Sequence, residues 1–202
     1  MTSSASSPLS LVLASSSPRR SALLIQVGVA FRVVHPQVDE EAITHPDPIE
    51  TAARRAAAKL EAARPLMRPG ESALLSADTM VFLGDSVFGK PANRDEAAGM
   101  LRSLAGRTHT VVTACALLTA GDTRHQFTDT AEVRFLPLDE SQIADYLEHE
   151  EWRGVAGGYR VQGVAARFIE SIQGSYATVM GLPIHRVYSI LTAPIGTKQP
   201  SQ

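Results

Sequence analysis

With 202 residues, 44% hydrophobic and 20% charged, the chain has the composition of an ordinary soluble globular protein, long enough for one well-buried core or two closely packed lobes. A formal net charge of −2 argues against a general nucleic-acid coat or a membrane-surface binder, so any anion site must be local. The single cysteine, Cys115, cannot form an intrachain disulfide, residues 1–8 lack the features of a secretory signal, and no apolar run reaches the roughly 18 residues of a membrane span; these point to a cytoplasmic protein that engages neither nucleic acid nor membrane.

The apolar segment 9–13 predicts a short buried strand at Leu11, Val12 and Leu13, and residues 21–27 predict a helix. Between them Ser17 suits the cap, Pro18 the first helical position, and Gly28 the stop. Arg19 and Arg20 occupy the first turn, where the macrodipole favours acids, and no Glu follows to close a capping box. A broken local rule of this kind points to function. A strand, a serine-rich turn, free backbone N–H groups and two guanidinium forks can hold a phosphate; the plain alternative is a solvated basic helix start.

Phe31–Val34 reads as a second strand, followed by a polar loop over 35–48. Residues 49–64 have helix composition and Pro65 ends them. Ala73–Leu83 is a long apolar strand pattern interrupted at Asp78, and Val87 and Phe88 return as the second arm of a hairpin after a turn at Gly84, Asp85 and Ser86. A helix over 93–105 is capped by Asn93 and stopped by Gly106. Strands over Thr108–Thr119 and 127–135 are joined by a turn at Gly121 and Asp122, and a helix over 139–149 follows. A glycine-rich passage over 154–163, a strand over 167–172 and a last helix over 183–191 complete the pattern. Residues 1–8 and 193–202 are expected to be disordered. The whole predicts one α/β domain over 9–192 around a largely mixed sheet.

Asp78 is flanked by apolar residues, where a carboxylate is costly unless paired, hydrogen-bonded or bound to metal. It is a candidate base or metal ligand, against the alternative of a structural acid. Lys90 lies between Gly89, which leaves room for a ligand, and Pro91, which keeps it extended. Lys59 shares its helix with Arg54 and Arg55 and by itself reads as a solvated cation. Glu40 and Glu41 are a weak divalent-ion signal, the histidines show no metal spacing, and Cys115 reads as a buried core thiol.

Several ordered motifs then coincide: Ala14-Ser15-Ser16-Ser17-Pro18-Arg19-Arg20, Val38-Asp39-Glu40, Ala77-Asp78-Thr79, Gly89-Lys90-Pro91, Tyr159-Arg160-Val161-Gln162-Gly163 and Gly181-Leu182-Pro183. Over residues 11–191 the chain resembles the Maf family of nucleoside triphosphate pyrophosphatases. The resemblance implies an elongated mixed β-sheet flanked by helices, with two lobes and a cleft, similar to the inosine triphosphate pyrophosphatases. It implies that Ser15, Ser17, Arg19 and Arg20 hold phosphates, that Asp78 is the catalytic base, and that Glu40 joins Asp78 at a divalent cation (Mg2+, Mn2+ or Co2+). Lys59 and Lys90 would neutralise the triphosphate. Arg19, Thr79 and Gln162 match the dTTP/UTP branch at the positions that separate it from the 7-methyl-GTP branch. A Gln amide can both donate and accept, as the edge of thymine or uracil requires.

The implied activity is hydrolysis of dTTP or UTP to the monophosphate and pyrophosphate, in sanitation of the nucleotide pool. Dimers are common in the family, so a homodimer stands as one expectation. A second enzyme reading keeps the chemistry but takes modified purine nucleotides; a third is a cell-division regulator that acts by binding. One departure is Val155, where this branch usually has Lys; Arg160, where a small residue is usual, is the candidate to supply the missing cation.

Overall fold

An unbroken apolar segment with helical sequence following it on both crossovers makes a strand buried on both faces. In the computed structural model, which describes residues 10–193, β1 (Leu11–Ala14) is that strand, and all of its residues are buried. The expected disordered ends lie outside the described residues, Ala193 apart. β1 pairs in parallel with β2 (Phe31–Val34) on one side and β3 (Ala73–Leu83) on the other. β3 pairs antiparallel with β5 (Thr108–Thr119), which continues antiparallel to β6 (Thr123–Phe135) and then β7 (Ile169–Gln173). The short β4 (Ser86–Phe88) folds back on β3, completing a mixed seven-stranded sheet.

Strand alternation divides the core into two layers. Val12, Ala14, Leu74, Met80, Val112, Ala114 and Ala116 face α2 (Pro48–Ala63), which presents Ala52, Ala56, Leu60 and Ala63 at helical spacing. Leu11, Leu13, Leu75, Val111, Cys115 and Val133 face the other layer, made by α1 (Pro18–Gln26), α3 (Arg94–Leu104), α4 (Glu140–Glu148), α5 (Tyr176–Met180) and α6 (Ile184–Thr192). Cys115 is fully buried, as expected.

The pairing leaves a gap that decides where a site can form. On its β1 side, β3 is covered by β1 over residues 73–76 and by β4 over 81–83. Among the described residues, 77–80 have no strand partner on that edge. The gap lies just beyond the carboxyl end of β1, whose neighbours lead away to either side, a switch point at which open α/β sheets bind ligands.

Some sequence expectations shift at the edges. β6 begins at Thr123, because its pairing with β5 runs back to Thr119 opposite Thr123 even though the intervening side chains are polar. The strand expected over 167–172 begins at Ile169, after a 3-10 turn over Val164–Phe168. α5 is a short helix the sequence did not announce, closed by Gly181 at φ 100°.

In the second layer His109 Nε2 lies 2.8 Å from the Tyr159 hydroxyl, and the ring packs edge-on against Phe135. Burial lowers its pKa from 6.5 to about 4, so acid protonates the unfolded chain first. The stability this contributes is complete above pH 6.5 and is lost as pH falls towards 4; the gap corresponds to on the order of 3 kcal/mol. Urea unfolding between pH 7 and pH 4 is expected to show that loss in the native chain and a flatter profile in His109→Phe.

Candidate active site

The gap in β3 exposes two adjacent residues that point to opposite faces. Asp78 faces α2 and Thr79 faces α1 and α5, so consecutive positions on one strand serve two halves of one cleft. All the residues expected to act line this cleft: Ser15, Ser17, Arg19 and Arg20 from the β1–α1 turn, Glu40 from the loop after β2, and Lys59 from α2. Asp78 and Thr79 from β3, Lys90 from the segment after β4, and Gln162 from the glycine-rich passage complete the set.

On the α2 side, Lys59 lies on the buried stripe of its helix. Its ammonium donates to Asp78 Oδ1 at 2.6 Å and pairs with Glu40 Oε2 at 2.9 Å. It is therefore not a solvated cation. The signal was present in the sequence, since position 59 falls on the same face as Ala52, Ala56 and Ala63. Burial raises the pKa of the Glu40 carboxyl, but the hydrogen bond from Lys59 and the charges of Lys59, Lys90 and Arg20 outweigh it and leave the pKa below its ordinary value. Asp78 Oδ2 is buried and has no hydrogen-bond partner among the described residues.

That orphaned oxygen tests the fit of a divalent cation. A hard cation takes carboxylate oxygens, and Asp78 Oδ2 with Glu40 offers them. Among the described residues no group of three or more His, Cys, Asp or Glu side chains is placed to hold a metal ion. The fit is thus to an ion that uses one or two carboxylates and completes its shell with substrate oxygens and water.

The remaining charged residues of the cleft wall are cations. Among the described residues, Arg19, Lys90 and Arg160 form no ion pair. Burial and the neighbouring charges of Arg20 and Arg160 bring Arg19 down to about 10. Arg160 lines the cleft with its Nε buried and, among the described residues, unpartnered, whereas Val155 is buried in the wall. Ser17 occupies the N-cap position of α1 but makes no side-chain cap; its Oγ is buried and unpartnered among the described residues, and its N–H bonds to Ser15 Oγ at 3.1 Å. The first turn therefore keeps donors without a side-chain acceptor, beside the arginines.

Arg20 plays a different part. Its Nε donates to the Gly181 carbonyl at 2.8 Å, Nη1 to Ser15 Oγ at 3.0 Å and Nη2 to Thr79 Oγ1 at 3.1 Å. Thr113 and Gly181, which sequence reasoning did not select as contributors, stand directly behind this contact; a Cβ at Gly181 would come within 3.1 Å of Thr79 Oγ1. Gln162 is exposed at the cleft, and Gly163 beside it leaves room for Glu151, whose carboxylate accepts from the Val164 N–H at 2.7 Å.

A mixed α/β sheet whose switch point sets a carboxylate pair against unpaired arginines describes an enzyme built for phosphate chemistry. The chain belongs to the Maf-like protein family, which it matches over residues 10–193. It is 46% identical over 182 residues to a dTTP/UTP pyrophosphatase of Symbiobacterium thermophilum, covering 90% of this chain and 92% of that one. A dTTP/UTP pyrophosphatase of Treponema denticola is 38% identical over 192 residues, with 90% and 95% covered. Among solved structures, the Staphylococcus aureus Ham1 protein aligns with a TM-score of 0.43 and 14% identity, over 70% of this chain and 99% of that chain.

Removing the cation from the Lys59, Asp78 and Glu40 cluster isolates its electrostatics. Lys59→Met leaves Asp78 and Glu40 without their shared cation, and urea unfolding of metal-free protein is expected to show a loss of about 3–5 kcal/mol. Adding Asp78→Asn should recover part of it. Unchanged stability in Lys59→Met would mean that the ammonium does not compensate the carboxylates.

Proposed function

We propose that the protein hydrolyses dTTP and UTP between the α- and β-phosphates, releasing pyrophosphate and the nucleoside monophosphate. The observation that carries this reading is the presence, in one cleft, of Asp78 with a buried oxygen and of Arg19 and Arg160; among the described residues that oxygen has no hydrogen-bond partner and those guanidinium groups have no acidic partners. The relatives named dTTP/UTP pyrophosphatase support the choice of nucleotide.

In this mechanism the triphosphate lies along the arginine wall. Arg19, Lys90 and Arg160, together with the uncapped first turn of α1, offset its charge and the charge that develops as the anhydride bond breaks. Asp78 Oδ2, unpartnered among the described residues, has two lone pairs, so it can orient the attacking water and take its proton with one while the other faces the cation site. Lys59 keeps Asp78 and Glu40 apart from each other's charge and holds Asp78 by its other oxygen. A divalent cation held by Asp78 and Glu40 would supply further charge neutralisation and activation of water; Mg2+, Mn2+ and Co2+ are the ions to try. Gln162 faces the base. Among the described residues no helix is long and apolar enough to cross a membrane, and the lone buried Cys115 fits an enzyme of the cytoplasm that clears the pyrimidine nucleotide pool.

Incubation of dTTP and UTP with the protein and a divalent cation should release pyrophosphate; orthophosphate as the only product would refute the assigned bond. Asp78→Asn should abolish turnover while the protein stays folded, because the amide still accepts from Lys59 but cannot take a proton. Near-normal turnover in that variant would make Asp78 structural.

Gln162→Glu tests the base end. It removes a donor and turns an acceptor towards a thymine or uracil carbonyl, a mismatch of about 1–3 kcal/mol, or roughly ten- to a hundredfold. The expected result is a loss of that size in kcat/KM for dTTP and UTP, with a smaller change for 7-methyl-GTP. An equal fall on all three would assign Gln162 to loop support.

A further inference from the structure

Behind the cleft wall a line of hydroxyls runs from Arg20 into the sheet. Each proton along it can be placed from the chemistry of its neighbours. The Thr178 carbonyl can only accept, so Thr113 Oγ1 donates to it across 2.8 Å. With that proton committed, the 2.9 Å contact between Thr79 Oγ1 and Thr113 Oγ1 takes its proton from Thr79. Arg20 Nη2, which can only donate, reaches the Thr79 oxygen at 3.1 Å. The donors therefore all run one way, from Arg20 through Thr79 and Thr113 to the Thr178 carbonyl, and successive bonds of this kind polarise one another.

We propose that Thr113 is a positioning residue for nucleotide binding, its hydroxyl accepting from Thr79 and thereby fixing the Arg20 guanidinium at the phosphate-facing wall. The proposal rests on the pyrophosphatase reading above. Thr113 is fully buried in the middle of β5, in register opposite Thr79, and it does not line the cleft. A hydroxyl at such a position has a cost that a valine of the same shape would not have, unless its hydrogen bonds are needed. The far end of the line is itself anchored, since the Thr178 hydroxyl donates to the Asp129 carboxylate on β6 and so ties α5 to the sheet. The Thr79 proton is consumed inside the protein and is not offered to a base. Thr79 thus influences the substrate through Arg20.

The test compares Thr113→Val with Thr113→Ser, each alone and combined with Arg20→Lys. KM and kcat are measured for dTTP, and inorganic pyrophosphate binding is measured by calorimetry. Thr113→Val is expected to raise both the KM for dTTP and the Kd for pyrophosphate about tenfold, with kcat held within about threefold, and Thr113→Ser to restore both. In the Arg20→Lys background Thr113→Val should add nothing, as expected when one residue acts only through the other. The proposal is overturned if Thr113→Ser is as impaired as Thr113→Val, if the two substitutions act independently, or if kcat falls at constant KM. Should Thr113→Val not fold, Thr113→Ala carries the same comparison with Thr113→Ser. A native protein that yields no pyrophosphate from dTTP refutes the proposed function, while the calorimetric arm still decides the role of Thr113.

Discussion

The structure around the cleft depends on one buried guanidinium. Arg20 is almost fully enclosed, and burial pulls its pKa below the ordinary value while Asp78, Cys115 and Glu40 oppose that shift. Enclosing such a group is tolerated only when its hydrogen bonds are satisfied. Its acceptors come from the turn before α1, from β3 and from the glycine that ends α5. A single side chain therefore holds together three segments that are far apart in sequence, and each of them contributes to the cleft lining.

The second organising constraint is strand alternation at the gap in β3. Because neighbouring side chains on a strand point to opposite faces, Asp78 and Thr79 separate the chemistry of the cleft without any special loop. Asp78 meets Lys59 and Glu40 on the α2 face, and Thr79 meets Arg20 on the other. The Lys59–carboxylate cluster and the Arg20 contact thus occupy the two faces of one strand. On the proposed function, a triphosphate spanning the gap would bring its anionic groups to the arginines and its reacting phosphorus to Asp78.

Much of the architecture was legible because its signals are local. The caps at Asn93 and Asp139 bond as their residue types predict, and Ala73–Leu83 and Thr108–Thr119 match the observed strands. The start of β6 was less legible, since its polar residues are held by backbone pairing with β5, which no side-chain pattern reports. α5 was missed because so short a helix shows no period. Ser17 illustrates a half-successful reading: the backbone takes the cap conformation, but the hydroxyl caps nothing and stays unpartnered beside the arginines.

By itself the sequence determined the elements, the likeness to a family and the residue types of the site, because those follow from spacing, composition and the order of motifs. It also carried the buried position of Lys59, in the helical period of its alanines. What only tertiary structure decided is how these groups are paired. Lys59 could be assigned to two carboxylates, Arg20 to the frame and Arg19 and Arg160 to an open wall only once the sheet had brought them together. The reason is that a hydrogen bond's direction depends on what lies on both sides of each atom, and for Thr79 and Thr113 those neighbours come from separate strands and helices.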